Sequence, residues 1–234
     1  MKVVNKKILA ALFPLLVVAV PGGAFACSST DPVTIDPTAS VPASARIGGG
    51  SSIGPSVVLA PHVTIGSCVT ILDNVHVRSG ARIGDNATID KNSVVGSNAR
   101  ILANASIGQN VVVGSLVKVG SSVTVDGDPS TNTTISYSAR IMDSAHIYPR
   151  ATVGSGVWIG AGASLGADSK LGSHARLGDN SSVGSNASVG GVVRIDPTIT
   201  VGNNVKIGYA AHICSDVADG TTLTPYSRFG CYPK

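Results

Sequence analysis

Aliphatic residues keep a six-residue beat through most of this chain. It runs from Ile35 through Ile47, Ile53, Leu59 and Ile65 to Val125, then resumes at Ile135 and continues through Ile141, Ile147 and Leu165 to Ile213. Four positions after each beat stands a small or β-branched residue, as at Val57, Ala81, Ala99, Val157 and Ala175. A period of six matches neither a helix nor an ordinary strand, so it predicts a repeat solenoid. Strand alternation turns the small residue of each hexad inward, the next outward and the aliphatic inward again. The remaining three positions turn a corner, where Gly and Asn tolerate positive φ. Gly48, Gly84, Gly114 and Gly178 directly follow the beat, and Asn86, Asn98, Asn110, Asn180, Asn186 and Asn204 hold the last corner position. The acidic residues are all Asp, whose short side chain bonds nearby backbone in tight corners.

Outward residues share a character when they are grouped eighteen apart, which predicts three faces. One face reads Arg46, Thr64, Arg82, Arg100, Lys118, Arg140, Trp158, Arg176, Arg194 and His212. A second is a hydroxyl ladder that includes Thr34, Ser52, Thr70, Thr88 and Ser164, interrupted by His146. The third mixes Val58, Val94 and Val112 with His76, Thr152 and Lys170. The phase survives residues 126–134 only if that segment is one hexad carrying four extra residues. A small loop, Asp126-Gly127-Asp128-Pro129-Ser130, is therefore expected to bulge from one corner.

The motif aliphatic–Gly–x–x–small–x resembles the hexapeptide repeats of left-handed parallel β-helix proteins, in which three hexads make one triangular coil. The resemblance covers Val33 to Val217 and implies an all-β solenoid of about ten coils. Gly156-Val157-Trp158-Ile159-Gly160-Ala161-Gly162-Ala163 is similar to a stretch found in sugar and serine acetyltransferases of this superfamily. That likeness implies acyl transfer from a thioester, with His146 as the candidate general base. It also implies side-by-side association into a homo-oligomer, commonly a trimer, for which the Val58, Val94 and Val112 strip is a candidate contact. The γ-class carbonic anhydrases are a further relative, but their close pair of zinc-binding histidines has no counterpart among His62, His76, His146, His174 and His212. No metal ligands and no cofactor are expected.

Residues 1–26 read as a secretory signal, with Lys2, Lys6 and Lys7 before an apolar stretch and Ala24-Phe25-Ala26 as a cleavage site. Residues 27–32 are then a linker, 33–217 the solenoid and 218–234 a terminal cap. Cys27 would stand first after cleavage, so ordinary secretion competes with lipidation of that cysteine, which would anchor the chain at a membrane surface. Export favours disulfides among the four cysteines. Cys214 and Cys231 bracket the tail and are expected to bridge. Cys68 lies eight coils from Cys214, about 38 Å at one strand spacing per coil, so it pairs with Cys27, pairs with another chain or stays free.

Charge sharpens the functional reading. Formal net charge is only +4, yet seven of the ten ranks named on the first face are Lys or Arg. Like charges stacked at strand spacing repel, so such a row either keeps a flat face soluble or meets an anionic partner. The sequence therefore favours an exported or surface-anchored solenoid acting as a structural or binding module. Its cationic face, Arg46, Arg82, Arg100, Lys118, Arg140, Trp158, Arg176 and Arg194, would meet an acidic polysaccharide or other envelope polymer. Nucleic acid fits less well, because aromatics are not interleaved along the row. An ice-binding array fits poorly with the irregular hydroxyl ladder. The acyltransferase reading ranks second, because export separates the chain from thioester donors and the loop carries no His.

Overall fold

The computed structural model describes residues 27–231, so the secretory segment expected over 1–26 lies outside the described residues. Almost every element is a two-residue parallel strand, such as Arg82–Ile83, Thr88–Ile89 and Val94–Val95, followed by a corner. Consecutive strands enter three different sheets in rotation. The result is a triangular solenoid of about eleven turns, with two sheets of ten strands and one of eleven.

Register follows the sequence period directly. Arg82 pairs with Arg100, Thr88 with Ser106 and Val94 with Val112, each eighteen residues on. Across the 126–132 segment the offset grows to twenty-two, pairing Val112 with Thr134, Lys118 with Arg140 and Thr124 with His146. The insertion thus amounts to four residues and leaves the face identities unchanged. Beyond residue 213 the offset shrinks to sixteen, with Lys206 opposite Thr222 and His212 opposite Arg228. Within the stretch expected as a terminal cap or tail, the strands Thr222–Leu223 and Arg228–Phe229 pair onto the preceding coil. The shortened spacing had removed them from the six-residue beat.

The core is the stacked column of beat residues and their small partners. Ile89, Ile107, Ile135, Ile141, Ile147 and Ile159 are fully buried. Where Ser takes the small position inside the column its hydroxyl can reach a carbonyl, as when Ser51 Oγ donates to Gly66 at 2.9 Å and Ser93 Oγ to Gly108 at 2.7 Å. Such bonds offset the loss of water around a buried hydroxyl. Ser227 Oγ in the last turn, by contrast, is buried without a partner among the described residues.

The corners correct one expectation. Positive φ sits at the last corner position, at Asn86 (57°), Asn98 (55°) and Asn180 (54°), and not at the Gly directly after the beat. That Gly serves close approach of coils. A Cβ on Gly84 would lie 2.7 Å from the amide nitrogen of Ala103, and one on Gly178 would lie 2.4 Å from that of Pro197.

Two disulfides tie the ends. Cys214 bonds Cys231, seventeen residues on, and Cys27 bonds Cys68, forty-one residues on. Cys68 thus takes Cys27 as its partner, one of the three outcomes the sequence leaves open.

Candidate functional site

The repeat takes in its one insertion among the described residues between the strands Thr124–Val125 and Thr133–Ile135, and titratable groups gather there. Buried Thr133 closes the loop. Its hydroxyl donates to the Asp126 carbonyl at 2.9 Å and accepts from the Arg150 amide at 2.9 Å. Asn110 Nδ2 donates to the Asp128 carbonyl at 2.8 Å from the coil before. Gly127 presses on that same coil, since a Cβ there would lie 1.8 Å from the Gln109 carbonyl oxygen. The loop is therefore fixed at both edges and at its centre.

His146 stands beside it on the hydroxyl face. Its Nε2 donates to Asp126 Oδ2 at 2.6 Å, and its ring stacks on Tyr148 with centroids 4.0 Å apart and planes 14° apart. Both partners are about one-third exposed at the side chain, 36% and 38%, so the pair is reachable from solvent. With the carboxylate holding the proton on Nε2, the other ring nitrogen is left as a base. Nδ1 makes no hydrogen bond among the described residues. The sequence reading left His146 without an orienting partner. Asp126 supplies one.

The second cluster at the loop centres on Arg150, itself held at φ 61°. Its Nε and Nη2 clamp both oxygens of Asp168 at 2.7 and 2.6 Å, and Nη1 reaches Asp128 Oδ2 at 2.7 Å. Hydrogen bonds from the Ser130 hydroxyl and amide, then from Arg150, lower the Asp128 pKa from 3.8 to about 2. Arg150 likewise lowers that of Asp168, and bonds to Asp168 and Asp128 raise its own. This arrangement fixes the loop as a rigid wall beside His146.

The cationic residues lie on another face. Arg82, Arg100, Lys118, Arg140, Trp158, Arg176 and Arg194 follow one another in register, and the row continues past His212 to Arg228. Arg46 stands two ranks before Arg82 in the same sheet. All seven cations from Arg46 to Arg194 are exposed, while Trp158 is half-buried. Among the described residues only Arg194 of these has an ion pair, to Asp196 at 2.9 Å. A shallow groove runs over Arg82, Arg100, Lys118, Arg140, Met142 and Trp158. His146 and Trp158 therefore belong to different sheets, and the acetyltransferase-like stretch around Trp158 does not contain the His–Asp pair.

The sequence reading missed Asp126, Tyr148 and the Arg150 cluster. It compared outward mid-strand positions only, whereas Asp126 directly follows the beat. The register places it above Tyr148 and diagonal to His146. Laying the coils over one another with the twenty-two-residue offset would have found the pair.

The family model of the GMPPB C-terminal domain matches residues 29–128. That match spans less than half of the chain. The eighteen-residue register of three parallel sheets shows the fold, a triangular parallel β-solenoid built from hexapeptide repeats. A search of the curated proteins found no match. Among solved structures, this hexapeptide-repeat helix is similar to the UDP-N-acetylglucosamine acyltransferase of Francisella novicida. Identity there is 21%, over 82% of this chain and 67% of that one, with a TM-score of 0.42. The Arabidopsis UDP-N-acetylglucosamine acyltransferase is 19% identical over 81% of this chain and 70% of its own, with a TM-score of 0.44. The UDP-N-acetylglucosamine O-acyltransferase of Moraxella catarrhalis RH4 is 20% identical over 76% and 68%, with a TM-score of 0.46.

Proposed function

We propose that this hexapeptide-repeat helix is an acyltransferase in which His146 is the general base and Asp126 its orienting group. The observation that carries this reading is the 2.6 Å bond from His146 Nε2 to Asp126 at the insertion in the repeat, with Nδ1 open. An acceptor hydroxyl or amine placed at Nδ1 would lose its proton to the ring as its oxygen or nitrogen attacks an acyl thioester. The new acyl bond forms, the carbon–sulfur bond breaks, and the departing thiolate takes the proton back from the imidazolium. Asp126 stabilises that imidazolium and holds the tautomer. Tyr148, stacked on the ring, keeps it from rotating out of line.

The test follows thiol release from acetyl and longer acyl thioesters in the presence of amino sugars, sugars and simple amines. Wild type is expected to turn over with at least one acceptor. His146→Ala is expected to lose about 10²–10⁴-fold in rate, the usual contribution of a positioned base. Asp126→Asn should fall in the same direction. Unchanged rates in both variants, or no thiol release by wild type, would refute the proposal.

A second reading rests on a different observation, the in-register row Arg82, Arg100, Lys118 and Arg140 with no acid paired to it among the described residues. This face would bind an acidic polysaccharide or envelope polymer if residues 1–26 direct export. Replacing Arg82, Arg100, Arg140 and Arg176 by Gln should leave the fold intact and weaken that binding. Wild-type affinity should fall with salt, since exposed charges are screened beyond about 8 Å at physiological ionic strength. Equal binding by the quadruple variant would reduce the row to a solubility device.

A further inference from the structure

The end of the solenoid holds a third cluster that neither functional reading uses. The donor atoms of His212, Cys214 and Cys231 all lie within 4.8 Å of one another, and all three residues are half-buried. His212 Nε2 stands 3.4 Å from Cys214 Sγ and 3.0 Å from Asp196 Oδ1. A nucleophile relay through histidine needs the acid and the thiol on opposite ring nitrogens. Here both converge on the same nitrogen, an arrangement of donors about a single point.

We propose that Cys214, Cys231 and His212 form a redox-gated zinc site, closed by the disulfide when oxidised and able to take the ion when reduced, with Asp196 or water as fourth ligand. A dithiol reductant supplies two electrons and two protons to the Cys214–Cys231 bond and leaves as its own disulfide, giving two thiols. Zinc then binds as each thiol releases its proton to solvent. Bond lengths of about 2.3 Å to sulfur and about 2.0 Å to nitrogen at a tetrahedral angle put sulfur about 3.5 Å from nitrogen. The observed 3.4 Å between His212 Nε2 and Cys214 Sγ already meets that spacing. The two sulfurs need only part to about 3.8 Å on the same geometry. Asp196 shares the proton now on Nε2, so an ion that replaces the proton meets the carboxylate as well. The final turn would then be pinned covalently in an oxidising compartment and by metal in a reducing one.

Cobalt(II) serves as the spectroscopic probe on the full chain. The protein is reduced with a phosphine, which leaves as its oxide, then desalted under anaerobic conditions and titrated. The reduced chain should bind one equivalent, with a thiolate-to-cobalt charge-transfer band and the visible bands of a four-coordinate ion. The oxidised chain should show neither. A Cys27→Ser/Cys68→Ser variant should keep the spectrum, which excludes the thiols at the other end. His212→Gln, an outward replacement that leaves the core untouched, should weaken binding at least about tenfold, since even outer-shell losses cost that much. No band in the reduced chain would overturn the site. So would an unchanged affinity in His212→Gln, or a band that persists in Cys214→Ser/Cys231→Ser.

Discussion

Stability of a stacked column should depend on rank, and two isoleucines test this. Ile141 is fully buried, with Val119 in register on one side and Ile159 on the other. Ile35 belongs to the terminal strand of its sheet and is 43% exposed. Truncation to Ala removes three carbons, worth about 2.4 kcal/mol at about 0.8 kcal/mol each when fully buried. At Ile141 the vacated space is enclosed by neighbouring ranks, and about 80 Å³ at about 24 cal/mol per Å³ adds about 1.9 kcal/mol. The sum, about 4 kcal/mol, lies within the usual range for Ile→Ala in a core. At Ile35 little more than half of the transfer term applies, about 1.4 kcal/mol, and the open end leaves no closed cavity. Urea titration followed by far-ultraviolet circular dichroism reads both values, with Trp158 fluorescence as a local reporter one rank from Ile141. The Ile141→Ala loss should be about three times the Ile35→Ala loss, with both probes moving together in Ile141→Ala. Equal losses within about 0.5 kcal/mol would refute the reasoning, because they would mean that rank in the column does not matter.

Asp128 provides a pH test. Its folded pKa is lowered from 3.8 to about 2, so its contribution is present above about pH 4 and lost as pH falls towards 2. The thermal midpoint of wild type should therefore exceed that of Asp128→Asn at neutral pH, and the two should converge between pH 4 and 2. Gly127→Ala should lower the midpoint and increase proteolytic nicking at residues 126–132, because the new Cβ meets the Gln109 carbonyl at 1.8 Å. One residue inserted after Gly96 should disrupt every coil beyond it, whereas a short Gly-rich insert between exposed Thr131 and Asn132 should change the midpoint little. Equal losses from the two inserts would contradict the register.

The solenoid was legible because its core and its faces are set by two independent periods that agree. Ile83 predicts Ile101 beneath it, and Arg82 predicts Arg100. The four-residue insertion was legible for the same reason, since only that length keeps Arg140 in line with Lys118. The last strands were not, because a sixteen-residue step takes Thr222 and Arg228 off the beat. The role of Gly after the beat was misjudged for a physical reason. Both left-handed φ and close backbone approach select Gly, and sequence does not distinguish them. The candidate site was half legible: His146 stood out as the misfit in a hydroxyl ladder, but its partner occupies a corner position that period-eighteen grouping ignores.

The two His–Asp pairs obey one geometric rule. In each, an Asp directly after the beat meets the outward His of the next coil, diagonally across the register. Asp126 reaches His146 at 2.6 Å and Asp196 reaches His212 at 3.0 Å. In an uninterrupted stretch the rule is an offset of sixteen residues, as from Asp196 to His212. Applied elsewhere, it designates Asp90 and Ser106, whose strands pair through Thr88 with Ser106 and Ile89 with Ile107. Ser106→His should therefore build a third pair without touching the core, because Ser106 is exposed. A neighbouring carboxylate favours the imidazolium, so the new ring should titrate higher than in Ser106→His/Asp90→Asn. An exposed pair is worth about 0.2–1 kcal/mol, which corresponds to about 0.1–0.7 of a pKa unit. Proton NMR of the imidazole in the two variants reads that difference. Identical titrations would show that Asp126 and Asp196 owe their contacts to local loops and not to the lattice of the solenoid.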